Sequence, residues 1–192
     1  MKKITAGELP GWSNWTLPGQ QYMRPIELQA IVALVNGVKA ETMIEIGVNE
    51  GFTARAVLDN VKSLQRYIGI DVEQTYQFEL PAQAREWPSN PGWIAAPDHR
   101  FELLICPRGS LDCTADDLPK ADVIFIDGDH GQNAVEHDSL LALDLVRPGG
   151  VIIWHDYDNP QVEVTGVLDT LFNEGWDINL IKDTWIAFER FF

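Results

Sequence analysis

Long apolar runs are missing from this sequence. No stretch approaches the roughly 20 residues needed to cross a bilayer, so no membrane-spanning helix is expected. The opening MKKITAGELPGW has two lysines with no apolar run behind them, unlike a secretory signal. Cysteine is scarce. Cys106 and Cys113 are the only two, they lack metal-ligand spacing, and they read as reduced thiols of a cytoplasmic protein. Positive charge is scarce too: 14 Lys and Arg stand against 29 Asp and Glu, a formal charge of −15 with no basic cluster. A field of that sign repels phosphate backbones, which disfavours nucleic acid and suits a neutral or cationic small molecule. Repeats and low-complexity tracts are absent as well.

What is present suits a single domain. The chain has 192 residues, 45% of them hydrophobic and 22% charged, enough to bury a core without staples. Residues 1–22 read as irregular, punctuated by Pro10, Gly11, Pro18 and Gly19. From Pro25 the spacing of Ile26, Leu28, Ile31, Leu34 and Val35 predicts a helix that ends at Gly37. Strands are predicted at 43–47, 66–71, 101–106, 123–126 and 151–154, with helices at 52–61, 132–146 and 164–172. The stretch 74–100 is proline-rich and carries Trp87 and Trp93; a short helix is predicted near 76–86, with a loop or insertion beyond it. Residues 178–181 and 185–191 read as two final strands joined by a hairpin-length connection. Strand–helix alternation ending in a hairpin predicts an α/β fold: one doubly wound Rossmann-like domain over 1–192, with a mainly parallel seven-stranded sheet.

Four constellations follow strand ends. The first, Glu45-Ile46-Gly47-Val48-Asn49-Glu50-Gly51, lies between a strand and a helix, where glycine permits a tight turn and close ligand approach. A dinucleotide fingerprint has glycines two and five positions after the first. Here the next is Gly51, four on, which argues against NAD. The second is Asp71, 24 residues after Gly47 and at the end of the next strand, where an acid can accept hydrogen bonds from ribose hydroxyls. The third is Phe125-Ile126-Asp127-Gly128-Asp129-His130 and the fourth Trp154-His155-Asp156-Tyr157-Asp158. Four aspartates and two histidines at one sheet edge repel one another unless a cation, a sulfonium or a divalent metal, neutralises them.

These residues, with Gly69-Ile70-Asp71 and Pro148-Gly149-Gly150, resemble the class I S-adenosylmethionine (SAM)-dependent methyltransferases over about 40–157. They are most similar to the small subgroup related to cephalosporin hydroxylase-like proteins and macrocin O-methyltransferases. One departure is Asn49, where the family's turn usually has glycine; asparagine tolerates the left-handed conformation. The resemblance implies a cofactor site of Glu45, Gly47, Val48, Asn49, Gly51, Asp71, Ser110 and Asp127. In it Gly47 and Gly51 face the methionine part, Asp71 holds the ribose, and Gly109 and Ser110 border the adenine.

In metal-dependent relatives, acids matching Asp127 and Asp156 ligate magnesium. Those relatives often carry Asp or Asn beside the second acid, whereas this chain has His155 before it and Tyr157 after it, so the metal set is incomplete and Mg²⁺ is an open alternative. With Asp127, His130 is the first candidate for the base that takes the acceptor's proton, because it follows a strand end and titrates in a suitable range. His155 is the second, as base or metal ligand. Trp12, Trp15 and Tyr22, within an N-terminal segment 1–24, either close over the site as a lid or pack the first helix onto the sheet.

The expected activity is methyl transfer to oxygen or nitrogen of a small-molecule or sugar acceptor. The alternative is a SAM-binding regulatory or assembly protein without catalysis. A homo-oligomer is compatible with the sequence, which carries no signal of its assembly state.

Overall fold

The computed structural model describes residues 1–192 apart from 14, 16, 18–21 and 81–87. In chain order its elements are β1 (Lys2–Ile4), α1 (Pro25–Gly37), β2 (Thr42–Ile46), α2 (Phe52–Asn60), β3 (Arg66–Val72), β4 (Phe101–Cys106), β5 (Ala121–Ile126), α3 (Gln132–Leu145), β6 (Val146–Trp154), α4 (Val164–Asn173), β7 (Asn179–Ile181) and β8 (Ala187–Arg190). Short 3-10 turns lie at Ala6–Glu8 and Gly109–Asp112. The strands form one sheet in the order β1-β7-β8-β6-β5-β2-β3-β4. Neighbours are parallel except where β8 runs against β6 and β7.

The sheet is the expected mainly parallel, doubly wound one, with eight strands among the described residues where seven were expected. The addition is β1, which pairs with β7. Three residues, two of them exposed, leave no apolar alternation for a sequence reading to find. Of the helix expected near 76–86, residues 76–80 are irregular, while 81–86 and Trp87 lie outside the described residues. The Pro148-Gly149-Gly150 turn expected to precede the fifth strand instead belongs to β6, where the pairing with β5 shifts register.

Both faces of the central strands are covered, which is why they read as unbroken apolar runs. Alternate side chains serve two cores. Met43, Tyr67, Val123, Phe125 and Ile153 pack with α1 and α2. Ile44, Ile68, Ile70, Ile124 and Trp154 pack with α3 and α4. Each fully buried aliphatic side chain stabilises by about 1.5–3 kcal/mol. Trp154, the largest side chain wholly inside, donates its indole N–H to Ser139 Oγ at 3.0 Å, and that hydroxyl donates to the Val135 carbonyl at 2.7 Å. Trp12 and Trp15, edge to face at 6.3 Å, pack against the α1 core, whereas Tyr22 is exposed.

Chain direction across the sheet reverses between β2 and β5. The carboxyl ends flanking that switch point form the crevice where open α/β sheets bind ligands.

Candidate active site

A cavity of about 320 Å³ opens at the switch point. Its wall includes Glu45, Gly47, Val48, Asn49, Asp71, Ser110, Asp127, His130, His155 and Asp156, so nearly every residue singled out from sequence converges there. Tyr157 and Asp158 of the fourth constellation lie off the wall, as does Gly51 alone of the cofactor, catalytic and metal candidates. Gly51 caps α2 with φ +92° and lies against Gly92 and Ala95 of the insertion, behind the turn.

The first turn is shaped by its neighbour across the seam. Gly47 has φ +86°, and a Cβ there would sit 2.1 Å from the Asp127 carbonyl oxygen, so no side chain fits. Asn49 takes φ +50°, the left-handed conformation that asparagine was expected to tolerate. The insertion supports the turn from outside, Gly92 N donating to the Asn49 carbonyl at 2.7 Å and Ile94 N to that of Glu50 at 3.1 Å. Below it Glu45 is buried and accepts the Tyr67 hydroxyl at 2.9 Å; burial pushes its carboxyl well above the usual range.

Asp71 is committed to this turn. Its Oδ2 accepts from Val48 N at 3.0 Å and Asn49 N at 2.9 Å, and its Oδ1 accepts from Val72 N at 2.7 Å. Burial raises its pKa while the three amides oppose the rise. A carboxylate offers about four acceptor positions. Three are filled, so the ribose role expected of Asp71 has one left, not two.

At the ends of β5 and β6 the acids meet both histidines. His130 Nε2 lies 3.4 Å from Asp127 Oδ1 and 3.3 Å from Asp156 Oδ2. His155 Nδ1 lies 3.2 Å from the same two carboxylates. On its other side, His155 Nε2 faces Glu27 Oε2 of α1 at 3.6 Å. Burial alone would lower the pKa of His155, but Asp127, Asp156 and Glu27 together raise it well above the usual histidine range. Burial would likewise raise both acids, yet His155 and their other partners bring Glu27 and Asp156 each to about 2. For His130 the same two aspartates outweigh burial, and its pKa is raised. Asp156 adopts φ +64°, backbone strain of the kind that gathers at functional sites.

Several of these contacts escaped the sequence reading. Glu27 is buried and ionised; its Oε1 accepts from Trp185 N at 2.8 Å and Arg24 Nε at 2.9 Å, its Oε2 from Arg24 N at 2.8 Å. The Arg24 guanidinium lies 5.2 Å from the centre of the Trp185 ring, and Trp185 lines the cavity. The available signal was an acid inside the first apolar stripe, two residues after Pro25. Asn159 Nδ2 donates to Asp156 Oδ1 at 2.7 Å. Asp129 turns elsewhere, accepting the Tyr76 hydroxyl at 2.9 Å.

A doubly wound sheet with a terminal antiparallel strand thus carries a glycine turn fastened to the acid of the next strand, with acid–histidine pairs beyond it. Residues 44–157 match the model of a family described as "Methyltransferase domain", and the chain belongs to that family. An uncharacterized protein of Acanthamoeba polyphaga mimivirus is 31% identical over 130 residues, 63% of this chain. The chain spans about half, 55%, of that relative's length. Among solved structures, a methyltransferase of Podospora anserina bound to S-adenosylhomocysteine (SAH) superposes with a TM-score of 0.62 at 15% identity, over 88% of this chain and 79% of that one. A putative O-methyltransferase of Klebsiella pneumoniae has a TM-score of 0.60 at 23% identity, covering 91% and 83%. An O-methyltransferase of Bacillus cereus in complex with SAH has 0.57 at 20%, covering 96% and 86%. At these identities the likeness is one of fold.

Proposed function

We propose that this protein transfers a methyl group from SAM to an oxygen or nitrogen of a small-molecule or sugar acceptor. The observation that carries the reading is the convergence, on one cavity, of the glycine turn, Asp71 and the acid–histidine cluster. Bound SAM would supply a methyl already activated on a sulfonium. The chain's own task is to hold the acceptor in line and take its proton. Alignment accounts for up to roughly 7–11 kcal/mol of barrier lowering in favourable cases, and a base for typically 10²–10⁴-fold.

The Gly47–Asn49 turn admits the methionine part, the remaining acceptor position of Asp71 takes one ribose hydroxyl, and Ser110 borders the base. His130 takes the acceptor's proton from its neutral form, and Asp127 and Asp156 beside its Nε2 stabilise the imidazolium that results. His155, clasped by three carboxylates, serves as a fixed positive charge instead of the second base. It holds Asp127 and Asp156 in place and offsets their repulsion.

Asp127, His130 and Asp156 also fit a divalent cation, each offering a ligand atom within 4.8 Å of the others. Two carboxylates and an imidazole suit Mg²⁺ or Mn²⁺, which would supply charge neutralisation beside the acceptor oxygen. His130 cannot be ligand and base at once. Full activity in EDTA would assign it as base; loss in EDTA with recovery on adding Mg²⁺ or Mn²⁺ would assign it as ligand.

Calorimetry with SAM, SAH and NAD, followed by transfer assays on a broad acceptor panel, tests the whole reading. Binding of SAM and SAH but not NAD, with methyl transfer to at least one acceptor, is the expected result. NAD binding in place of SAH would overturn it, and SAH binding without transfer to any acceptor would favour a regulatory SAM-binding protein.

A further inference from the structure

Asp129 follows β5 with the other acids but is absent from the group that offers ligand atoms around His130. Its carboxylate is turned to the segment after β3. Oδ2 accepts from the Tyr76 hydroxyl at 2.9 Å and from Glu79 N at 3.1 Å, while Oδ1 accepts from Gly131 N at 3.0 Å. A further bond ties the same segments, Asn133 Nδ2 donating to Glu79 Oε1 at 2.8 Å. Gly131 leaves room for this approach, since a Cβ there would fall 2.2 Å from Glu79 Oε2. Residues 76–79 are thus fastened to residues 129–133 by bonds that span 50 to 54 positions of the chain.

The fastened segment runs along the cavity. Tyr76, Phe78 and Leu80 all line it, together with Val72 and Ser110. Tyr76 and Phe78 meet edge to face at 5.1 Å and 84°, which fixes both rings. At its base the segment is pinned to the neighbouring strand end, Glu73 N donating to the Cys106 carbonyl at 3.0 Å. Between base and fastening it has no helix or strand.

We propose that residues 73–80 form a strap that closes over the bound cofactor, with Tyr76 and Phe78 as its inner wall and Asp129 as the positioning residue that fastens it. This rests on the cofactor reading above. A cofactor enclosed by the strap leaves when the fastening opens, so the strap acts on the rate of dissociation more than on that of association.

The test uses the full chain and SAH as the probe. Tyr76→Phe keeps the ring and removes one hydrogen bond to a charged group, so SAH dissociation followed by stopped-flow fluorescence should quicken about tenfold. Asn133→Ala, at the opposite end of the fastening, should quicken it in the same direction. Hydrogen exchange at the Glu79 amide should slow when SAH binds the native protein and slow less in Tyr76→Phe. Unchanged dissociation and unchanged Glu79 exchange in folded Tyr76→Phe would overturn the strap alone. Failure of the native protein to bind SAH would overturn the cofactor reading, and the strap with it, before any variant is made.

Discussion

Asp71 combines two demands that pull on the same oxygens. Its three backbone partners make it the fastener of the glycine turn, and the same carboxylate is the ribose candidate. Asp71→Ala should therefore lower stability by about 1–3 kcal/mol, the usual cost of unpaired buried donors, as well as weaken SAM. Denaturant unfolding and calorimetry, run side by side, check this; lost affinity at unchanged stability would mean the turn holds without it. His130→Ala should divide the other way. Turnover should fall by roughly 10²–10⁴-fold while SAH affinity stays put, and an equal loss of both would make His130 a structural residue. At this scale the sequence was most legible at the carboxyl ends of strands, where Gly47 and Asp127 directly follow β2 and β5, Asp71 is the second-last residue of β3, and Asp156 lies two residues past β6. It was least legible at Glu27, whose contact with Trp185 spans 158 positions and leaves no local trace. Gly51, read from the same local pattern, lies outside the cavity wall and against residues 92–95, a placement that depends on the insertion and not on the turn's own sequence.

At the scale of elements, α1 and the start of β8 are joined to the site through Glu27. Glu27→Ala would leave the buried His155 charge short of one partner, and breaking a buried pair in this way costs about 3–5 kcal/mol. Because the carboxyl sits near 2 in the folded chain, against an ordinary value of 4.5, its contribution is complete above 4.5 and lost as pH falls from there toward 2. Acid titration of stability should show that loss in the native protein, and a smaller one in Glu27→Gln. On the other face, Ser139→Ala would strand the Trp154 indole N–H inside the core and cost about 1–3 kcal/mol, readable as a lowered denaturant midpoint. The long helices and central strands were legible because their apolar periods are long or unbroken. β1 and the early start of β6 were not, since short, partly exposed pairing depends on a neighbour strand and not on the segment's own pattern.

For the molecule as a whole, the pocket draws on segments from Tyr22 to Trp185, nearly the full span of the chain. Fold class was readable because strand–helix alternation is a global rhythm. The acceptor's identity was not, because the walls away from the turn come from the N-terminal segment and the insertion, where no motif marks them. At the centre lies the seam where β2 pairs with β5, joining residues 43–46 to 123–126. Those strands are about 80 residues apart, so closing the seam costs more loop entropy than pairing neighbours in the chain. A ligand seated across it acts as a clamp between two halves of the sheet. SAH should thus retard global unfolding and not merely quiet the nearby loops. Unfolding rates in denaturant should drop as SAH is added, in amides of β2 and of β5 alike. Slowing confined to the turn at Gly47 would mean the ligand leaves the seam itself untouched.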